Sequence, residues 1–143
     1  MTRAPMRRAA VLLVAVLASW TWNGPAQGAP CQRYEPEVVS LEGNLQLKVF
    51  PGPPHYQSVE TGDQPEAIWL LQLAAPICIE AVPDDAWNVA RDAVQTIEIV
   101  ARTSFAMSLN GKPVQLQGTL FRAHGGHRHA EIVLRATRVA LAK

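Results

Sequence analysis

The chain has 143 residues, 48% of them apolar, with 13 basic and 12 acidic side chains. That composition excludes a disordered, collagen-like or coiled-coil chain and leaves one globular domain as the expectation. A formal net charge of +1 carries none of the basic excess that nucleic-acid binding draws on.

The N-terminus has the order of a secretory signal peptide. Arg3, Arg7 and Arg8 precede an uncharged apolar run from Ala9 to Ala18, then Trp20, Trp22 and a small-residue stretch ending Ala26-Gln27-Gly28-Ala29. Cleavage after Gly28 puts Ala26 and Gly28 at the small −3 and −1 positions and keeps Pro30 off the cut. The run is well short of the roughly 20 residues needed to span a bilayer, and Pro30 stands where a lipobox needs a small residue. No stable membrane anchor is therefore expected. Residues 1–28 read as signal peptide and 29–143 as a single domain, periplasmic or secreted. Without the three arginines the formal charge falls from +1 to −2.

Cys31 and Cys78 both lie in the mature part. In an oxidising compartment an even pair reads first as a disulfide. A thiol nucleophile or thiolate metal ligands are the alternatives, but no Cys-x-x-Cys pair exists and no histidine lies near either cysteine.

Val38 to Phe50 alternates at Val39, Leu41, Leu45, Leu47 and Val49, the period of a half-buried strand, with Gly43 as a bulge or bend. Pro51 to Glu66 is a long Pro- and Gly-punctuated loop, of a length more often functional than idle. Ala67 to Glu80 reads as the second strand. Ala81 to Ala93 is turn-like, and Asp84 or Asp85 there would cap a short helix. Val94 to Ala101 is the third strand. Thr103 to Leu109 lacks alternation, begins with good N-cap residues and ends at Asn110-Gly111, which predicts a short helix. Pro113 to Ala123 and Ala130 to Ala140 are the fourth and fifth strands. This order predicts an all-β domain with one short helix, a five-stranded Greek-key OB-fold-like barrel. A generic β-sandwich is the runner-up, normally with about seven strands.

Three of the four histidines fall in His124-Gly125-Gly126-His127-Arg128-His129. A Gly-Gly pair between strands predicts a two-residue hairpin turn. His124 and His127 would then oppose one another, with His129 on the same face two residues on. This needs a bulge near Gly118 that turns Phe121 and Ala123 inward and Arg122 and His124 outward. Three converging imidazoles suit a divalent metal such as Zn, Cu or Ni, with Glu131 of the right parity to join them. Arg122, opposite His129, brings an opposing positive charge. A pH-responsive tip or a plain solvated turn are the other readings of the same residues.

Nothing else completes a catalytic set. Ser104 and Ser108 lack a Gly-x-Ser-x-Gly elbow, and Gly125-Gly126 precedes a strand instead of the helix of a phosphate loop. Trp69 is expected within the second strand and Trp87 in the turn-like segment. His55 and Tyr56 form a small contact patch in the long loop.

Two blocks, Phe50-Pro51-Gly52-Pro53-Pro54-His55-Tyr56 with Thr61-Gly62-Asp63-Gln64-Pro65-Glu66, and Gly118-Thr119-Leu120-Phe121-Arg122-Ala123-His124-Gly125-Gly126-His127-Arg128-His129, are together similar to a bacterial family known as domain of unknown function 4431. Cys31 and Tyr34 upstream extend the resemblance over most of the mature chain. It implies an exported, OB-like domain and no particular activity. This chain departs from the family pattern, with Arg122 and Arg128 in a histidine-rich block, Gly125 in place of Thr, and His55 where Asn is common.

In OB-folds the loops joining strands one to two and four to five flank the ligand face. The expectation is thus a non-enzymatic exported binding module for a small ligand or exported protein, not nucleic acid. Its candidate ligand contacts are His55, Tyr56, Asp63, Glu66, His124, His127 and His129. The alternative is a metal-binding protein or metal-dependent hydrolase using His124, His127, His129 and Glu131.

Overall fold

The structure, a computed structural model, describes residues 30–125 and 127–143. The expected signal peptide lies outside the described residues. Five strands form the fold: β1 (Val38–Pro51), β2 (Pro65–Ile79), β3 (Arg91–Ala101), β4 (Lys112–Arg122) and β5 (Ile132–Leu141). They close into one ring in the order β1-β2-β3-β5-β4, with β3 and β5 parallel and the other neighbours antiparallel. This is the all-β, five-stranded Greek-key barrel that the element order predicts. None of the described helices is long and apolar enough to cross a membrane.

Period-two alternation builds the interior. Val39, Leu41 and Leu45 of β1, Leu71 and Leu73 of β2, Ile97 and Ile99 of β3, Val114, Leu116 and Leu120 of β4, and Ile132, Leu134 and Ala136 of β5 form one buried cluster. Trp69 meets Phe105 edge-on at 5.8 Å against one side of that cluster. Tyr34, also buried there, donates its hydroxyl to the Val89 carbonyl at 3.0 Å, and burial raises its pKa.

Gly43 does not form a bulge. β1 pairs without a register shift with β2 on one side and β4 on the other, and Gly43 has a partner on both, Leu73 and Val114. Any Cβ there would collide with the Gln72 carbonyl, so close strand approach explains the glycine. The bulge at Gly118 exists, but its extra residue, Thr137, lies in β5. β4 therefore keeps Leu120 inside and leaves Phe121 on the outer face, where the Arg135 guanidinium lies 4.7 Å from its ring centroid. The helix expected over Thr103 to Leu109 is reduced to a 3-10 turn, Met107–Leu109, with Ala106 as an N-cap that makes no side-chain bond. Asn110 instead accepts the Leu47 amide at 2.9 Å and ties this connection to β1. No helix forms between β2 and β3; Asp85 accepts the Trp87 and Asn88 amides at 2.8 and 3.2 Å and closes a turn. Those donors hold the Asp85 carboxyl below its ordinary pKa.

The N-terminal arm runs from the end of β2 to the end of β4. Gln32 bonds to Cys78 and Glu80, and the Glu35 amide to the Leu120 carbonyl. Cys31 and Cys78 are disulfide-bonded, 47 residues apart in sequence. In the chain-entropy account a closure of that length contributes about 4 kcal/mol. Replacing both cysteines by serine is expected to lower unfolding free energy by about that amount in urea titrations, with the barrel retained by circular dichroism.

Candidate functional site

Residues 52–64, between β1 and β2, fold around one carboxylate. Asp63 is 4% exposed, and its oxygens accept the backbone amides of His55 (2.9 Å), Gln57 (2.7 Å) and Ser58 (2.9 Å). The His55 Nδ1 stands 3.4 Å from the same carboxylate. Three amide donors stabilise the ionised form, and the Asp63 carboxyl is lowered from its ordinary value of 3.8 to about 2, the Ser58 amide leading. Within this frame Tyr56 is held at φ 58, in the left-handed region, its amide bonded to the Gly52 carbonyl. Gly52 is buried, and a Cβ there would approach the Gln64 carbonyl to 2.8 Å.

The connection between β4 and β5 spans 123–131, with the Ala123 amide bonded to the Glu131 carbonyl at 2.9 Å. It folds back over the outer face of the barrel and is anchored by Glu98. This residue lies on the solvent-side parity of β3, between the core residues Ile97 and Ile99, yet it is 1% exposed. Its register neighbours Leu70 and Val133 are buried on the same outer face. Both Glu98 oxygens are satisfied: Arg128 donates to Oε1 and the His129 amide to Oε2, each at 2.7 Å. A buried carboxylate with no countercharge is costly, so Glu98 requires this loop to close over it.

Closure brings the two loops together. The His129 ring stacks on Phe50 at 3.9 Å and 9°, and His127 lies tilted on Tyr56 at 4.4 Å and 30°. His129 Nε2 and Glu66 Oε2 face one another at 3.6 Å, both atoms buried and without a hydrogen-bond partner among the described residues. A few tenths of an ångström of further approach makes them a hydrogen bond. His124 goes elsewhere, stacked on Trp87 at 4.9 Å and 10°. Arg122 places its guanidinium 4.7 Å from the same indole ring and donates to the Trp87 carbonyl at 3.0 Å.

The candidate residues thus divide. Tyr56, Glu66, His127 and His129 gather along the seam of the two loops, while His55 contacts Asp63 within its own loop. Asp63 is corrected from ligand contact to loop organiser, since the loop's own amides occupy its oxygens. The two-residue hairpin is also corrected, because β4 and β5 part before the glycines and no opposed histidine pair forms. His124, His127 and His129 rest on three different aromatic partners and do not converge. Glu131 is engaged by Arg91, at 2.6 Å, and by Arg122, at 3.5 Å. Among the described residues no group of three or more His, Cys, Asp and Glu side chains is placed to hold a metal ion. Glu98 lies outside both motif blocks, and Phe50, which opens the first, is not among the candidate contacts. The available signal was a lone carboxylate between two isoleucines in a central strand.

This geometry defines the class as a closed five-stranded all-β barrel, stapled once, with two long connections clasped on one side. Residues 96–140, from the second half of β3 through nearly all of β5, match the family model described as Domain of unknown function (DUF4431). The resemblance drawn from the Gly118–His129 block is therefore shown over that stretch, while the Phe50–Glu66 block lies outside it. A comparison with curated proteins finds no match.

Two expectations follow from the carboxylates. Replacing Arg128 by Met leaves Glu98 buried without its charge partner. The cost should be about 2–3 kcal/mol in urea unfolding, below the full buried-pair penalty because a third of the Arg128 side chain meets solvent. An unchanged midpoint would mean that the loop is not held by this pair. For Asp63 the folded pKa lies below the unfolded one, so its contribution is complete above about pH 4 and disappears as pH falls toward 2. Protection of the Gln57 and Ser58 amides, relative to their intrinsic exchange, should fall over that window, and Asp63→Asn should remove that fall.

Proposed function

We propose that this protein is an exported, non-catalytic binding module whose ligand is held along the seam between the 52–64 and 123–131 loops. The observation that carries this reading is the pairing of Tyr56 with His127 and of Phe50 with His129. It joins the two blocks of the family resemblance on one side of the barrel. Export is supported by the signal-like order of residues 1–28 and by the disulfide between Cys31 and Cys78. Tyr, His and Phe faces backed by a rigid barrel offer apolar contact with a polar edge, and ordering them on folding reduces what binding must fix.

A cleft of about 670 Å³ lies elsewhere, between the N-terminal arm and the connection after β2, and is lined by Arg33, Tyr34, Glu37, Glu80 and Val82. Its cation is already committed, Arg33 Nε lying 2.9 Å from Glu80 and a terminal nitrogen 3.7 Å from Glu37. Amide and side-chain NMR shifts on titration with a panel of sugars, amino acids, short peptides and small anions separate the two places. Saturable shifts should centre on Tyr56, Glu66 and His127, and the Tyr56→Ala, His127→Ala double variant should lose them. Shifts confined to Arg33, Glu80 and Val82 would overturn the assignment of the seam.

A further inference from the structure

The outer face of β2 and β3, beside the seam, carries a groove of about 360 Å³, within the roughly 300–1,000 Å³ typical of small-molecule sites. Ile68 and Val100 give it apolar surface, the Thr103 and Ser104 side chains add hydroxyls, and Arg102 and Arg128 both line it. Arg128 is unusual among the cations of this chain, since it is set in place by a carboxylate that is 1% exposed. A guanidinium has five N–H donors in a planar fork. Among the described residues Arg128 spends one of them, on Glu98 Oε1. The rest are oriented by that bond and by the His129 amide that locks the adjacent backbone onto Glu98 Oε2. Arg102 has no ion-pair partner among the described residues. Lys48 stands directly across from Ile68 in the β1–β2 register and adds a third positive charge beside the groove. The Glu98 charge is offset by Arg128, and Glu66 lies two residues before Ile68 on the same outer face of β2. Arg102 and Lys48 therefore leave this face one net positive charge in a domain whose formal charge from residue 29 onward is −2.

We propose that this groove is an oxyanion subsite, in which Arg128 and Arg102 grip a carboxylate, phosphate or sulfate group of the ligand while its uncharged part lies on Ile68 and Val100. The inference rests on the seam being the binding region, and it names the chemistry that region takes. Arginine suits the task because its fork can give two parallel N–H donors to one planar or tetrahedral anion. Glu98, which also lines the groove but is 1% exposed, is the positioning residue: it fixes where the fork points, and Arg128 offsets its charge.

The test titrates the disulfide-bonded protein with glucuronate, inorganic phosphate and inorganic sulfate, following the arginine Nε–H signals by NMR, with glucose as the neutral control. At least one anion should give saturable shifts at both Arg102 and Arg128 below about 10 mM, and glucose should give none there. The strongest of the three tells which oxyanion the ligand bears. Arg102→Gln, at an exposed position just beyond β3, should weaken that anion about tenfold or more without changing the fold. Arg128→Lys keeps the charge but loses the fork, and should weaken it as well. No saturation by any anion, or equal affinity in Arg102→Gln, overturns the subsite. So does binding by all three anions that vanishes together at about 0.15 M salt, the behaviour of unspecific charge attraction. The Tyr56→Ala, His127→Ala variant separates the two readings. If a neutral ligand depends on those residues and no anion reaches the arginines, the seam stands and the subsite falls. If the anion binds that variant unchanged, the subsite stands and the seam falls.

Discussion

Glu98 controls what one side of this barrel looks like. A carboxylate placed between Leu70 and Val133 on the outer face cannot remain there dry and alone, because desolvating an ionised carboxylate without a partner costs far more than a small domain's net stability allows. The chain resolves this by folding the β4–β5 connection back over β3. Arg128 supplies the countercharge, the His129 amide supplies the second donor, and both oxygens are satisfied. Everything at the seam follows from that closure. With the His129 backbone fixed, its ring comes onto Phe50, its Nε2 faces Glu66, and His127 reaches Tyr56.

The facing loop uses the same device on a smaller scale. Asp63 gathers three amides of its own segment and thereby holds Tyr56 in a backbone region that a bulky residue rarely enters. Each loop is thus organised by one buried carboxylate, Asp63 accepting three backbone amides and Glu98 one amide and the Arg128 guanidinium, and the two organised loops meet through aromatic and imidazole rings. The division of labour explains why Asp63, inside one of the distinctive blocks, and Glu98, outside both, are closed off from solvent. Asp63 and Glu98 are spent on structure, and the rings they position are what the surface presents.

How much of this was legible depended on whether the determining contact was local. Alternation of apolar residues located all five strands to within three residues at each end, because a half-buried strand writes its period into its own side chains. The disulfide was legible for a similar reason: two cysteines, where they pair within the chain, have one partner each. The hairpin was not. Gly125-Gly126 carries a two-residue turn signal, yet the strands part before it, and the connection instead satisfies Glu98. No window around the glycines contains Glu98, which is 30 residues from Arg128. The parity of β4 failed likewise, because the bulge beside Gly118 fell in β5 and left Leu120 inside. Asp63 was noticed for its place in a motif, but its burial depends on a loop closing around it, which no spacing reveals.

Burial of the organising carboxylates also bears on how such a surface can work. Long, flexible side chains on a mobile hairpin would have to be ordered on every encounter, at about 0.5–1.5 kcal/mol for each immobilised side chain. Here the ordering is done once, on folding. The Arg128 fork is aimed by Glu98, the His129 ring is flattened on Phe50, and Tyr56 is locked by the Asp63 turn. The cost falls instead on stability, because a buried ion pair seldom improves on well-packed apolar residues of the same volume. A domain this small carries Glu98 at that disadvantage, and the staple from Cys31 to Cys78 offsets part of it. A buried carboxylate that stabilises little but fixes the direction of a half-exposed guanidinium is better explained by what that guanidinium meets from solution than by the packing of the barrel.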